Sequence, residues 1–175
     1  YYDQYIQKQK VIYLQKIANM DMLTEAMNRN AYEDMVRYLD EGEIKLRTTG
    51  VVIFDLDNLK VINDNFGHEK GDEALKLCYQ CISQAFQNVK NCFRIGGDEF
   101  VIILKNKTAE ETEEIIRQVR AEIEFADEQS DIPISVAMGY AWTDAEEKNL
   151  PELIHCADEK MYKDKKRIKE NTSSA

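Results

Sequence analysis

The run Phe93-Arg94-Ile95-Gly96-Gly97-Asp98-Glu99-Phe100-Val101-Ile102-Ile103-Leu104, two apolar segments joined at a diglycine, constrains this chain more than any other stretch. A Gly-Gly pair between strand-like segments signals a short hairpin, because glycine tolerates the positive φ angles that tight β-turns require. The tip of that hairpin carries Asp98 and Glu99, beside glycines that leave room for a bulky ligand. Carboxylates next to a strand as apolar as residues 100–104 are costly unless a cation or solvent meets them. A metal ion is the natural counter-charge.

The rest of the chain supplies elements for a layered α/β domain. Residues 1–20 mix Tyr5, Ile6, Val11, Ile12, Leu14 and Ile17 with Gln and Lys, with neither Gly nor Pro, and read as a helix. It begins without a methionine and reads as the end of a longer connector from an upstream domain. A dimeric coiled coil and a helix packed on its own domain both fit it. Asn28 is a helix cap for residues 28–41, and Val51-Val52-Ile53-Phe54, apolar at every position, is a central strand covered on both faces. A short helix over 58–66 and a longer one from Asp72 to about 87 precede the hairpin. Thr108 caps an acidic amphipathic helix to about 125, residues 132–142 form another strand, and 150–165 a closing helix. This order predicts a central mixed sheet of parallel and antiparallel pairs, about five strands, flanked by helices. The domain itself is expected over 21–170, with 1–20 as connector and 171–175 as a frayed tail.

Composition then limits what such a domain can bind. At 175 residues one domain suffices, and a formal net charge of −10 argues against nucleic acid or an anionic membrane as partner. The same acidity disfavours a nucleoside triphosphate unless divalent metal sits between the acids and the phosphates. Cys78, Cys81, Cys92 and Cys156 are scattered and lack a second pair or a His-x-x-x-His to complete a zinc site, so they read as buried thiols in a reducing, cytoplasmic setting. No apolar run approaches the ~20 residues of a membrane span.

Chemistry concentrates in two places. Asp55 closes the central strand, at the end where ligands gather in open α/β sheets, and the hairpin tip can bring Asp98 and Glu99 beside it. Three carboxylates from two strands suit Mg²⁺, which takes hard oxygen ligands and shares its shell with phosphates. Neighbouring residues on a regular strand face opposite ways, so Asp98 and Glu99 reach one site only if the tip is twisted or bulged. Other chemistries fare worse. The acids of residues 55–65 lack the register of an EF-hand loop. Ser83, Ser130 and Ser135 sit in no nucleophile elbow, and His68 and His155 have no triad partners.

Gly96-Gly97-Asp98-Glu99-Phe100 resembles the signature of the GGDEF family of diguanylate cyclases, bacterial enzymes that condense two GTP into cyclic di-GMP. A second block, Phe54-Asp55-Leu56-Asp57-Asn58-Leu59-Lys60-Val61-Ile62-Asn63-Asp64-Asn65-Phe66-Gly67-His68-Glu69-Lys70-Gly71-Asp72, is similar to that family's nucleotide-binding segment, and the likeness extends from about Asp21 to about Lys165. The resemblance implies the nucleotidyl cyclase and polymerase-palm architecture. It implies Mg²⁺ (or Mn²⁺) on Asp55, Asp98, Glu99 and the backbone carbonyl of Leu56, with Asp98 also accepting the 3′-hydroxyl proton. Asn63 and Asp72 become guanine readers, His68 a neighbour of the substrate, Lys60 and Lys165 phosphate ligands, and Gly96 and Gly97 part of the substrate site. Read from the residues alone, Asn63 fits a turn, Asp72 a helix cap, His68 a hydrogen-bonded structural residue, and both lysines the surface.

The expectation is therefore a metal-dependent diguanylate cyclase that needs a second copy of itself, because the product holds two guanines and one domain supplies one set of readers. A GTP-binding regulatory module without turnover is the rival reading. Two departures from the family pattern stand out. Glu25-Ala26 replaces the usual Gly-Leu of the entry turn, and the Gly-Arg-Asn expected after Lys165 is missing. The window where many members carry an Arg-x-x-Asp product-binding motif reads Gln87-Asn88-Val89-Lys90, so feedback inhibition by cyclic di-GMP is expected to be absent.

Overall fold

The computed structural model describes residues 1–42, 47–86, 91–145 and 149–173. The chain runs α1 (Tyr2–Asn19), α2 (Arg29–Asp40), β1 (Thr49–Leu56), α3 (Leu59–Phe66), α4 (His68–Ala85), β2 (Cys92–Arg94), β3 (Glu99–Lys105), α5 (Ala109–Gln129), β4 (Val136–Thr143) and α6 (Leu150–Ser173). The window at 87–90 lies outside the described residues.

Among the described residues the sheet has four strands in the order β2-β3-β1-β4, and every neighbouring pair is antiparallel. This corrects the expected mixed sheet of about five strands. Helical crossovers do join strands running the same way, β1 to β2 and β3 to β4. Each crossover skips a strand, so an antiparallel neighbour always fills the gap, as in split βαβ units.

β1 is buried along its whole length, as its apolar run requires. Its even-numbered side chains Val52, Phe54 and Leu56 join Phe100, Ile102 and the inner faces of α4 and α5 in one core. Its odd-numbered Val51 and Ile53 pack with Val101, α6 and the partly buried face of α2 on the other side. α6 lies directly on β4 because Gly139 has no side chain: a Cβ there would sit 2.1 Å from Met161 N and 2.2 Å from Ala157 O. Both sheet edges are blocked. Met27 pairs its backbone with Cys92 and Arg94 outside β2, and on β4 the Asp164 carboxylate accepts from Met138 N–H at 2.9 Å.

The caps read at Asn28 and Thr108 are formed. Asn28 Oδ1 accepts from Ala31 N–H, and Thr108 and Glu111 make a reciprocal capping box. Element ends differ where side chains intervene. β4 starts at Val136 rather than Ile132, because Pro133 has no N–H and the N–H groups of Ile132 and Ile134 bond to Ser130 Oγ and Asp127 Oδ1. α4 begins at His68, and α6 runs past Lys165 to Ser173. α1 buries no residue, leaving Ile6, Val11, Ile12, Leu14 and Ile17 exposed. Cys78, Cys81 and Cys92 are buried free thiols and Cys156 is partly buried. Burial pushes Cys81 up to about 11, so it stays protonated. No helix among the described residues is long and apolar enough to cross a membrane.

Candidate active site

β1 delivers Asp55 to the sheet's end directly opposite Glu99, the first residue of β3. Opposed residues of an antiparallel pair point to the same face. Alternation along β1 puts Asp55 on the face of Val51 and Ile53, where α6 packs. The orientation problem at the tip is resolved in this way. Glu99 belongs to the ladder and shares a face with Asp55, whereas Asp98 precedes the strand and its carbonyl accepts from Leu56 N–H at 2.9 Å.

The connection Ile95-Gly96-Gly97-Asp98 is closed by Ile95 N–H bonding Glu99 O at 3.0 Å. Neither glycine has a positive φ, so the expected left-handed diglycine turn is not what the pair provides. It provides space. A Cβ on Gly97 would meet nothing within 4 Å, and one on Gly96 only ordinary contacts with Glu99. The acid-bearing tip is therefore open to a ligand on its glycine side.

The tip is held from behind by Arg94, a residue the sequence reading passed over. Its guanidinium donates to both Asp21 oxygens, at 3.2 and 3.1 Å, and to Gly97 O at 2.7 Å. Asp21 in turn accepts from Thr24 N–H and Oγ1. Burial raises the Asp21 carboxyl, but these bonds outweigh it and hold the group below its usual value. Arg29 adds a bond to Ile95 O at 3.3 Å. An arginine between apolar Phe93 and Ile95 was the available signal, since such a charge needs a partner.

On α6, Lys165 donates to Asp55 Oδ1 at 2.6 Å. Asp57, again unremarked from sequence although strand alternation carries it to the same face as Asp55, lies 4.0 Å from the same ammonium and is 2 % exposed. Burial pushes the Asp57 carboxyl up to about 6, Lys165 drawing it down and Asp55 raising it further. Asp55 is raised by burial against the pull of Lys165, and Glu99 by burial together with Asp158, Asp55 and Asp98. Such crowding of carboxylates favours a cation, and their hard oxygens fit Mg²⁺. In this arrangement Lys165 supplies the positive charge, and among the described residues no three His, Cys, Asp or Glu groups converge as a ready-made metal cluster.

Asn63 and Asp72 gather separately, where α3 meets α4. A Cβ on Gly71 would lie 1.9 Å from Asn63 Oδ1, so this glycine gives the amide its place beside Asp72's own turn. Asn63 is inside α3 and Asp72 inside α4, which removes the turn and cap readings of both. Asp72, His68 and Lys60 are exposed.

The diguanylate cyclase, GGDEF domain family matches residues 18–171. The chain is 32% identical to a cyclic di-GMP phosphodiesterase, PdeB of Shewanella oneidensis, over 83% of its own length and 17% of PdeB. It is also 32% identical to a diguanylate cyclase of Vibrio cholerae, over 87% of its length and 48% of that protein. The chain thus spans about half or less of these relatives. In structure it is similar to the coiled coil and GGDEF domain of DgcB from Caulobacter crescentus, crystallised with c-di-GMP, with a TM-score of 0.78 at 22% identity over 94% of this chain and 89% of that one. With the signature at the tip of its hairpin and the family match running through nearly every described element, this chain belongs to the GGDEF-domain family of diguanylate cyclases.

Proposed function

We propose that this domain condenses two GTP into cyclic di-GMP and two pyrophosphates, one GTP being presented by each of two facing copies. The observation that carries the reading is the Asp55–Glu99 pair, opposed on one face at the end of β1 and β3 beside an open glycine tip, with Lys165 on the same face. Asp55, Glu99, Asp98 and the Leu56 carbonyl would hold Mg²⁺ or Mn²⁺, which when bound offsets phosphate charge and lowers the barrier to attack on an α-phosphate. Asp98, outside the strand and next to the glycines, is placed to accept the proton of the attacking 3′-hydroxyl. Lys165 and the exposed Lys60 meet phosphates.

Asp72 and Asn63 read guanine. An ionised carboxylate accepts from N1–H and the 2-amino group, and adenine presents an acceptor at N1 instead. His68, at the start of α4 in the same segment, borders the base. Because one domain carries one such set, turnover belongs to a dimer. We place the reaction in the cytoplasm, where GTP is found.

Incubation with GTP and Mg²⁺ followed by chromatography tests the reading. A cyclic dinucleotide and pyrophosphate are expected. Bound but unchanged GTP would instead mark a regulatory module, a reading favoured by the match to a phosphodiesterase of which this domain is a small part. Absence of binding would refute both.

A further inference from the structure

We propose that Asp57 is a positioning residue that receives the Lys165 ammonium when Asp55 turns its carboxylate to a cation; this rests on the reading of the site as one for a metal nucleotide. Asp57 is 2 % exposed, and its Oδ1 has no hydrogen-bond partner. A carboxylate oxygen buried without a donor is costly, and such a group in a native protein calls for a specific role, here a partner gained in another state.

The donor that can reach it is named by geometry. Lys165 Nζ stands 2.6 Å from Asp55 Oδ1 and 4.0 Å from Asp57 Oδ1. A movement of roughly 1 Å at the lysine tip converts the second distance into a hydrogen bond. Asp57 cannot make that movement itself. Its N–H is tied to Ser135 O at 2.8 Å, and Oδ2 faces Ser135 Oγ at 3.5 Å. Nor can the α6 backbone move readily, being seated on Gly139 and fixed by Asp164, which accepts from Arg120 and from Met138 N–H. The flexible part is the lysine side chain.

With a divalent cation held on Asp55, Lys165 would lose that acceptor and be repelled from it. With Asp57 beside it, Lys165 keeps an anionic partner inside the site and stays aimed at the phosphates; without Asp57 the chain turns to solvent. Lysine suits the exchange, since its ammonium is a compact charge on a flexible stem.

Calorimetry with α,β-methylene GTP and Mg²⁺ on the full chain tests this, using wild type, Asp57→Asn, Lys165→Met and the double variant. Charged hydrogen bonds of this kind correspond to roughly tenfold or more in affinity. Asp57→Asn should weaken binding by about that factor, and the double variant should bind no more weakly than Lys165→Met alone. Additive losses, or an Asp57→Asn affinity equal to wild type, would overturn the proposal while leaving the nucleotide site standing. Failure of wild type to bind the analogue would overturn the functional reading and this inference together. Should Asp57→Asn fail to fold, a crystal structure of the wild-type analogue complex decides: Lys165 Nζ within hydrogen-bond distance of Asp57 Oδ1 is expected, and Lys165 still on Asp55 or turned to solvent refutes the proposal.

Discussion

Glu25 has φ 67°, a left-handed conformation that side chains other than Gly and Asn adopt at a cost of about 1–2 kcal/mol. This is where the family pattern has glycine, and the entry turn keeps its form despite the departure, with Asp21 N–H on Ala26 O at 2.8 Å and Glu25 N–H on Asp21 O at 3.0 Å. Glu25→Gly should therefore stabilise the domain, by about 1 kcal/mol after the entropy of a freer unfolded chain is subtracted, as read by urea unfolding. Asp57 makes the stability depend on pH. Its folded value of about 6 exceeds the ordinary 3.8, so its contribution to stability is full below pH 3.8 and is lost as pH rises through about 6. In metal-free protein, Asp57→Asn should gain stability relative to wild type on going from pH 4 to pH 7; a difference that does not change with pH would contradict the assignment. Residues such as Asp55 and Glu99 were legible because acids interrupt apolar runs. Arg94 and Asp57 were not, because their importance lies in partners 73 residues away at Asp21 and 108 away at Lys165.

Elements were read most reliably where burial is one-sided or complete, as in β1 and the stripes of α4 and α5. Strand neighbours were not, since the order β2-β3-β1-β4 depends on which strand fills each crossover's gap, and nothing local records that. Of the two roles the sequence suggests for the diglycine, open space for a ligand holds and positive φ does not. The hairpin's aim depends on Arg94, whose side chain is largely buried and joins it to the entry turn. Removing the arginine leaves Asp21 partly buried with only Thr24 as donor, so Arg94→Ala should cost about 1–3 kcal/mol, visible as a lowered melting temperature. Because Gly97 loses its anchor as well, the variant should also turn over GTP more slowly at temperatures where it is fully folded. An unchanged rate there would show that the tip holds its position without the arginine.

In the proposed reaction, the active site of one copy is half of a reaction centre. α1 presents Tyr5, Ile6, Val11, Ile12, Tyr13, Leu14 and Ile17 to solvent, and no element among the described residues covers them, which favours the paired-helix reading over packing on its own domain. Specific activity should accordingly rise with protein concentration and level off as sedimentation shows the dimer filling. A monomer that turns over at the full specific rate would contradict the two-copy requirement.

The acids at the end of β1 and β3 carry the proposed chemistry, and its direct test is the initial rate of cyclic di-GMP formation paired with the melting temperature for Asp55→Asn, Asp98→Ala and Glu99→Ala. Because these side chains lie at the sheet's end and tip rather than in the apolar core, each variant should melt close to wild type while its rate falls by roughly 10²-fold or more. Near-wild-type turnover in any of the three folded variants would contradict the assignment of this cluster as the catalytic centre.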